Sequence, residues 1–485
     1  MQAATIILGL REAKLLSERA RTYRMYFFYR ILTAVGMFIL APYFALRGWR
    51  AGEPSRALRE RLGSLPPEIA ARAAASSRAT IASTRDAAAT DAGTTSGPIW
   101  IHAVSVGEVL AAKPLVDGLQ RRFPGRAIFV STTTETGQRL ARERLQSTDG
   151  IFYFPLDWVV PVRRALRAIR PALVIIMETE IWPNFLREAR RAGVPVIFAN
   201  ARISEKSFAR FERWEFLVGA FFNRTMRDAE LFLTQSPEDS ARLLAMGADE
   251  DRIEVTGNLK YDAEPPAVGR FGTWLDQEIR RQERWPVLVA GSVVAGEEDA
   301  VLAAYDLVQR QWRHTLLILA PRKPAQFDTA AEIVAAGGWK VVRRSQLDSA
   351  ASLDDDTDVL LLDSIGELAG LYSLADATFV GGSLAPAGGH NILEPAWFAR
   401  PPVFGASMEN FREMADQFLD AHAGVQVTSG PGLGKVWIQL IQDEKMRERM
   451  GKAARAISER NRGATERSLN RIAAILNESA KGNAA

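Results

Sequence analysis

A chain of 485 residues is long for a single hydrophobic core and predicts two domains with additions. Charged residues make up 24%, an ordinary globular value, and Lys and Arg exceed Asp and Glu only by 61 to 57, too small a surplus to indicate nucleic acid. There is no cysteine, which excludes disulfides, thiolate catalysis and Cys-ligated metals, and four scattered histidines (His102, His314, His390, His422) give no basis for a His-rich metal site.

Residues 25–46, MYFFYRILTAVGMFILAPYFAL, form an apolar run interrupted only by Arg30 and Pro42. Its length is close to the roughly 20 residues that cross a bilayer. No small-residue cleavage site follows, so it does not read as a cleavable signal. Arg19, Arg21 and Arg24 precede it, and Arg47, Arg50, Arg56, Arg59 and Arg61 follow. A spanning helix has more Lys and Arg on one side than on the other. Basic flanks at both ends predict instead a helix that dips into or lies on the inner leaflet, its arginines on anionic headgroups. The alternative is a buried core helix. Residues 1–65 are therefore assigned as an N-terminal membrane-anchor region. Residues 66–97 are rich in Ala, Ser and Thr with almost no large apolar side chains, which predicts a flexible linker or insertion.

From Ile99 strands alternate with helices. IWIHAV, AIFVSTTT, ALVIIME, VPVIFANA, AELFLTQS and IEVTGN read as strands, with helical segments such as VLAAKPLVDGLQRRF and WPNFLREARRAG between them. The pattern restarts with PVLVAGS, TLLILAPR, KVVRRS, DVLLLDS, ATFVGGS and PPVFGAS. Short connections between alternating strands and helices mean parallel sheets covered by helices. The predicted fold class is α/β, with two Rossmann-like domains over residues 98–262 and 263–440 and a C-terminal helical segment over 441–485.

Candidate chemistry collects where strands end. The turn SVGE holds Ser105, Gly107 and Glu108 but lacks the glycine pattern of a dinucleotide site. Glu108 reads either as a carboxylate that complements a helix dipole or as a general base at a cleft edge. In METEIW, Glu178 and Glu180 lie two apart, so on an extended segment both point to one side. Thr133 and Thr134, in STTTETG, suit an anion at a helix N-terminus, although an ordinary polar turn has the same composition. Lys260, in GNLKYD, also suits an anion. Arg322 and Lys323 follow a strand directly and can meet a phosphate or carboxylate. GGSLAPAGGHNILEPA is the most unusual stretch. Its four glycines, Gly389 among them, admit a ligand close to the backbone. Asn391 and Glu394 lie three apart on one face of a helix start, where a Glu can accept both hydroxyls of a ribose. Gly366 and Glu367 begin another helix beside it.

Taken together, HAVSVGE, STTTETG, METEIWPN, ANARIS, VTGNLKYD, APRKP, GEL and GGSLAPAGGHNILEPA occur in one order over residues 100–410. In this the chain resembles the 3-deoxy-D-manno-octulosonic acid (Kdo) transferases, the lipid A glycosyltransferases of Gram-negative bacteria. The resemblance implies a GT-B fold of two Rossmann-like domains facing a cleft, with an N-terminal membrane anchor. It implies inverting transfer of Kdo from CMP-Kdo to a lipid A precursor (lipid IVA) in lipopolysaccharide core biosynthesis, at the cytoplasmic face of the inner membrane. It implies no metal and no cofactor, CMP-Kdo being a co-substrate. Expected partners are CMP-Kdo, the lipid A precursor and anionic inner-membrane lipids, not nucleic acid. Carried over by motif, Glu108 is the general base. Ser105, Gly107, Thr133, Thr134, Glu178, Glu180 and Lys260 belong to the acceptor side. Ser292, Arg322, Lys323, Gly366, Glu367, Gly389, Asn391 and Glu394 belong to the CMP side. The chain departs from the family pattern at Val293, Val294, Lys323, Ile365 and Ile392, which bears on fine donor contacts. Alternatives from other classes are a GT-B-fold sugar-nucleotide epimerase and a non-catalytic, membrane-bound nucleotide-binding module.

Overall fold

The computed structural model describes residues 25–36, 54–86, 97–347 and 353–482. The chain divides into two compact units: the first runs to Ala263 and takes back the chain from Arg462, and the second covers Glu264–Asn461.

The first unit is a parallel sheet of seven strands in the order β3-β2-β1-β4-β5-β6-β7. In chain order these are Ile99–His102, Ile128–Thr132, Gly150–Tyr153, Leu173–Met177, Val196–Ala201, Leu231–Thr234 and Ile253–Val255. Strands β1 and β4 are buried along their whole length. Their unbroken runs of branched and aromatic residues are what a sheet covered on both faces requires. The chain leaves β1 toward β2 on one side, while β4 lies on the other, with His102 level with Ile176. The connections after β1 and β4 therefore part in opposite directions and leave a crevice at the carboxyl ends of the two strands.

The last helix, Ala464–Gly482, belongs to this first unit. Its Leu469, Ile472 and Leu476 are buried with Leu115 and Leu119 of the helix Val106–Arg122. Gly118 makes the approach possible, since a Cβ there would stand 2.4 Å from Leu469 Cδ1. Asp262 accepts the backbone N–H groups of Gly463 and Thr465 where the chain re-enters the unit.

Two N-terminal segments differ from expectation. In the stretch read as a flexible linker, Pro67–Asp86 is a helix, with Ile69 and Ala73 buried in the core of the first unit. The scarcity of large apolar residues hid the high helix propensity of alanine, and Ile69, Ala73 and Ser76 lie along one side at helical spacing. Residues 87–96 lie outside the described residues. Of the apolar run 25–46, residues 25–36 form a helix fastened to the first unit by polar contacts, and 37–46 lie outside the described residues. Tyr26 donates to Asp228 at 3.1 Å and Tyr29 to Asp157 at 2.8 Å. Arg30 meets Asn184 and Glu188, and the Arg187 guanidinium lies 4.0 Å from the Tyr26 ring centroid. The opposite side carries Phe27, Phe28, Ile31, Leu32 and Val35, with Leu32 71% exposed. Among the described residues no helix is long and apolar enough to cross a membrane.

The second unit repeats the design with seven parallel strands in the order β10-β11-β9-β8-β12-β13-β14. These are, in chain order from β8, Val287–Val293, Leu316–Pro321, Val341–Arg343, Val359–Leu361, Ala377–Val380, Val403–Phe404 and Val425–Gln426. Here β8 lies between β9 and β12, so the connections after β8 and β12 diverge in the same way.

Candidate functional site

In the first unit the crevice between β1 and β4 is organised around Val104. Ser105 caps the helix Val106–Arg122, and Glu108 lies in its first turn. Glu108 Oε2 accepts the Val104 N–H at 2.8 Å, and Ser105 Oγ donates to Glu108 Oε1 at 2.9 Å. This is a variant of the Ser-x-x-Glu capping box, in which the glutamate reaches back to the start of its own helix. The Val104 carbonyl accepts from the backbone N–H groups of Thr133 and Thr134 and from Thr134 Oγ1. Thr134 in turn caps the helix Glu135–Arg144. Gly137 allows that helix to come so close, because a Cβ there would stand 2.8 Å from Thr134 Oγ1 and 3.1 Å from the Val104 carbonyl oxygen. The Thr133 carbonyl also receives Arg61, whose guanidinium lies over the Tyr153 ring.

Glu108 is only 7% exposed. Burial pushes its carboxyl up to about 7, aided by Glu178 and Glu180, against the pull of the Val104 N–H and the Ser105 hydroxyl. Glu180 is itself raised, first by burial and then by Glu178. The crevice therefore brings together the three glutamates picked out in the first domain, Glu108, Glu178 and Glu180. The route differs from expectation: Glu178 has a φ of 52°, so the backbone turns immediately after Met177 and METE is not extended. The alternation rule of a strand does not apply there. A non-glycine residue in this region is strained, and it is held by the Glu178 N–H to Ala199 carbonyl bond, 2.9 Å, which continues the sheet ladder. Lys260 lies 3.4 Å from Glu178. It is positioned by a turn whose Leu259 N–H donates to Asn200 Oδ1 and whose Lys260 N–H donates to Asn258 Oδ1.

His102, one strand position below the same turn, stacks on Phe154 at 3.7 Å and bonds Ser131 through Nδ1. Burial pushes it down to about 3, so its ring is neutral at physiological pH.

In the second unit the β8 end is irregular: the register with β9 shifts between Ala290 and Val293, and Ser292 has a φ of 55°. Arg322 follows β9 and donates its N–H to the Val293 carbonyl at 2.8 Å. The side chains of Arg322 and Lys323 are exposed. Glu394 is pushed up to about 7 by burial, with Arg322 and Asn391 pulling the other way. His390 is pushed down to about 4 by burial and by Arg322. Arg322, after β9, thus acts on His390 and Glu394 in the segment after β12, and Asn391 acts on Glu394. Gly389 has a φ of 76°, and a Cβ there would stand 2.4 Å from Met408 Sδ, so glycine is required.

Gly366 also adopts a left-handed φ, 95°. Glu367 is engaged in a bidentate pair with Arg344, at 3.0 and 3.1 Å, and accepts from Ser364. The Arg344 guanidinium covers the Phe271 ring at 3.9 Å. Arg344 carries no sequence signal beyond being an arginine after a strand. Among the described residues no group of three or more His, Asp or Glu side chains is arranged to hold a metal ion.

Two doubly wound parallel units in one chain define the GT-B class. A crystal structure of a putative UDP-N-acetylglucosamine 2-epimerase from Listeria monocytogenes has this fold. It superposes with a TM-score of 0.52 at 13% identity, covering 79% of this chain and 97% of that one, a likeness of fold alone. The sequence model of the 3-deoxy-D-manno-octulosonic-acid transferase (Kdotransferase) family matches residues 56–263. The chain is 32% identical over 385 residues to the 3-deoxy-D-manno-octulosonic acid transferase of Haemophilus influenzae, covering 78% of this chain and 87% of that one. To the enzyme of the same name from Bordetella pertussis it is 34% identical over 389 residues, covering 77% and 86%. The chain belongs to the Kdo transferase family.

Proposed function

We propose that this chain transfers Kdo from CMP-Kdo to a hydroxyl of a lipid A precursor of the lipid IVA type, in lipopolysaccharide core biosynthesis, with Glu108 as general base. Family membership supports the reaction class. The residue-level reading rests above all on Glu108, a buried carboxyl raised to about 7 and held by two hydrogen bonds, which suits proton abstraction near neutral pH. The acceptor proton passes to Glu108, and the acceptor oxygen bonds to the Kdo anomeric carbon. The bond from that carbon to the CMP phosphate oxygen breaks, its electron pair leaving with CMP. One displacement gives inversion. Ser105, Gly107, Thr133 and Thr134 hold the base and its surroundings, and Glu178, Glu180 and Lys260 set the local charge. Arg322 and Lys323 stabilise the departing phosphate, while Asn391 and Glu394 hold the ribose. Ser292, Gly366, Glu367 and Gly389 shape the CMP side. The reaction needs no metal and no cofactor.

The acceptor is a lipid, and an apolar surface on the first unit fits a lipid environment. The helix 25–36 meets the helix Glu205–Met226 through Tyr26 and Tyr29 against Phe221, at 5.2 and 5.3 Å between ring centroids. The first helix exposes Phe28 and Leu32, and the second exposes Trp214, Leu217 and Phe216, the last at 80%. Apolar side chains of this size in solvent mark an interaction surface. We read them as lying on the cytoplasmic face of the inner membrane, with neighbouring arginines on anionic headgroups.

The test is transfer in vitro, with CMP-Kdo and a tetraacylated lipid A precursor, read by mass spectrometry with and without EDTA. Mass gains of whole Kdo units that survive EDTA are expected. No gain with a chain that binds CMP-Kdo would refute the acceptor, and loss of transfer in EDTA would refute the metal-free mechanism.

A further inference from the structure

The glycine-rich segment after β12 is shaped in large part by a buried carboxylate from the neighbouring turn. Glu297 is 1% exposed and stands at the start of the helix Glu298–Gln309, in the connection that leaves β8. Its Oε1 accepts the backbone N–H groups of Ser383, Leu384 and Ala385 at 2.9, 2.8 and 3.1 Å. Its Oε2 accepts those of Gly382 and Val294 at 2.7 and 3.1 Å. Four successive N–H groups, 382 to 385, converge on one side chain, the concave arrangement that backbone uses to bind anions. Gly381 permits this, because a Cβ there would stand 2.8 Å from Glu297 Oε2 and 2.6 Å from the Ser292 carbonyl oxygen.

The same carboxylate therefore fixes both sides of the crevice in the second unit, the β8 end with Ser292 and the β12 loop. The loop closes on itself, Gly389 N–H to Gly382 carbonyl at 2.7 Å, immediately before His390, Asn391 and Glu394. Ser383 Oγ accepts the Gly405 N–H at 2.7 Å, and the Ser407 N–H donates to the Ser383 carbonyl at 2.8 Å, so the loop cannot shift without β13 and the segment after it. The Val293–Val294 peptide, whose N–H meets Glu297, accepts the Arg322 N–H at its carbonyl, so the network reaches Arg322 through the main chain.

We infer that Glu297 is a positioning residue for the donor: its carboxylate sets the 381–389 loop so that Asn391 and Glu394 are presented to the nucleotide. The inference rests on the CMP-Kdo reading of this unit. Glu297→Gln keeps the size but turns an amide NH2 toward a ring of N–H donors. Oε1 accepts three N–H groups and Oε2 two, so at least two of the five bonds become a donor facing a donor, and buried donors left unpaired are costly. Glu297→Asp keeps the carboxylate one methylene short of the loop.

The experiment titrates CMP alone calorimetrically into wild type, Glu297→Gln and Glu297→Asp, records each melting curve, and measures KM for CMP-Kdo and for the lipid acceptor separately. Glu297→Gln is expected to weaken CMP binding and raise the CMP-Kdo KM by about tenfold or more, with the acceptor KM unchanged. Glu297→Asp should lie between it and wild type. A folded Glu297→Gln with wild-type CMP affinity, or one that loses kcat alone with both KM values unchanged, overturns the inference. If Glu297→Gln fails to fold, Glu297→Asp decides, and wild-type affinity in it overturns the inference. Wild type that does not bind CMP removes the donor reading itself, and the inference with it.

Discussion

Glu108 and Glu178 lie on different connections, one after β1 and one after β4, yet Glu178 helps to hold the Glu108 carboxyl up near neutrality. The reversal of strand order between β1 and β4 is what brings them together. Glu178 reaches its place through a left-handed backbone, and Lys260 stands beside it at 3.4 Å.

A base raised to about 7 gives the transfer rate a limb that climbs through neutral pH as Glu108 loses its proton. Glu178→Gln removes one of the negative charges that raise it, so the inflection in kcat/KM moves to lower pH. A pH profile of the two proteins checks this; coincident limbs would separate Glu178 from the tuning of the base. The same raised carboxyl makes the fold pH-dependent. Its contribution to stability is fully present below the ordinary glutamate range and is lost as pH rises through about 7.

The returning helix supplies core to the first unit. Ile472 is 0% exposed and packs among the aliphatic residues under the sheet. Ile472→Ala should destabilise this unit by about 2–5 kcal/mol. Urea unfolding, followed by far-UV circular dichroism, measures it, with a lowered midpoint as the expected result.

Lipid contact through the apolar stripe predicts that Leu32→Asp and Phe216→Asp weaken binding to vesicles containing anionic phospholipid. Neither residue lies near the CMP-side residues in the chain, so calorimetric CMP binding should stay at the wild-type value. Vesicle flotation is the measurement, and undiminished flotation of the double variant would place the lipid surface elsewhere.

Much of the fold was readable in the residues. The run Leu173–Met177 and its counterparts are so uniformly apolar that only strands covered on both faces accommodate them. Short edge elements such as β3, Gly150–Tyr153, passed unnoticed because four residues, three of them partly exposed, carry almost no periodic signal. The helix Pro67–Asp86 was obscured by composition, since alanine adds helix propensity without the bulk that marks a core. At the site, side chains in unusual motifs stood out, but the groups that hold them did not. The Val104 backbone that fastens Glu108, and the Glu297 carboxylate that gathers five N–H groups, act through the main chain. The Arg344 pair with Glu367 joins residues 23 positions apart. None of these leaves a pattern along the chain.

The most direct test compares wild type with Glu108→Gln in the CMP-Kdo to lipid A precursor assay, with CMP affinity measured on the same preparations. Whole-Kdo mass gains are expected for wild type, with a rate about 10²–10⁴-fold lower for the variant, as for loss of a general base, and equal CMP affinity in both. A Glu108→Gln protein that transfers Kdo at the wild-type rate would contradict the assignment of the base.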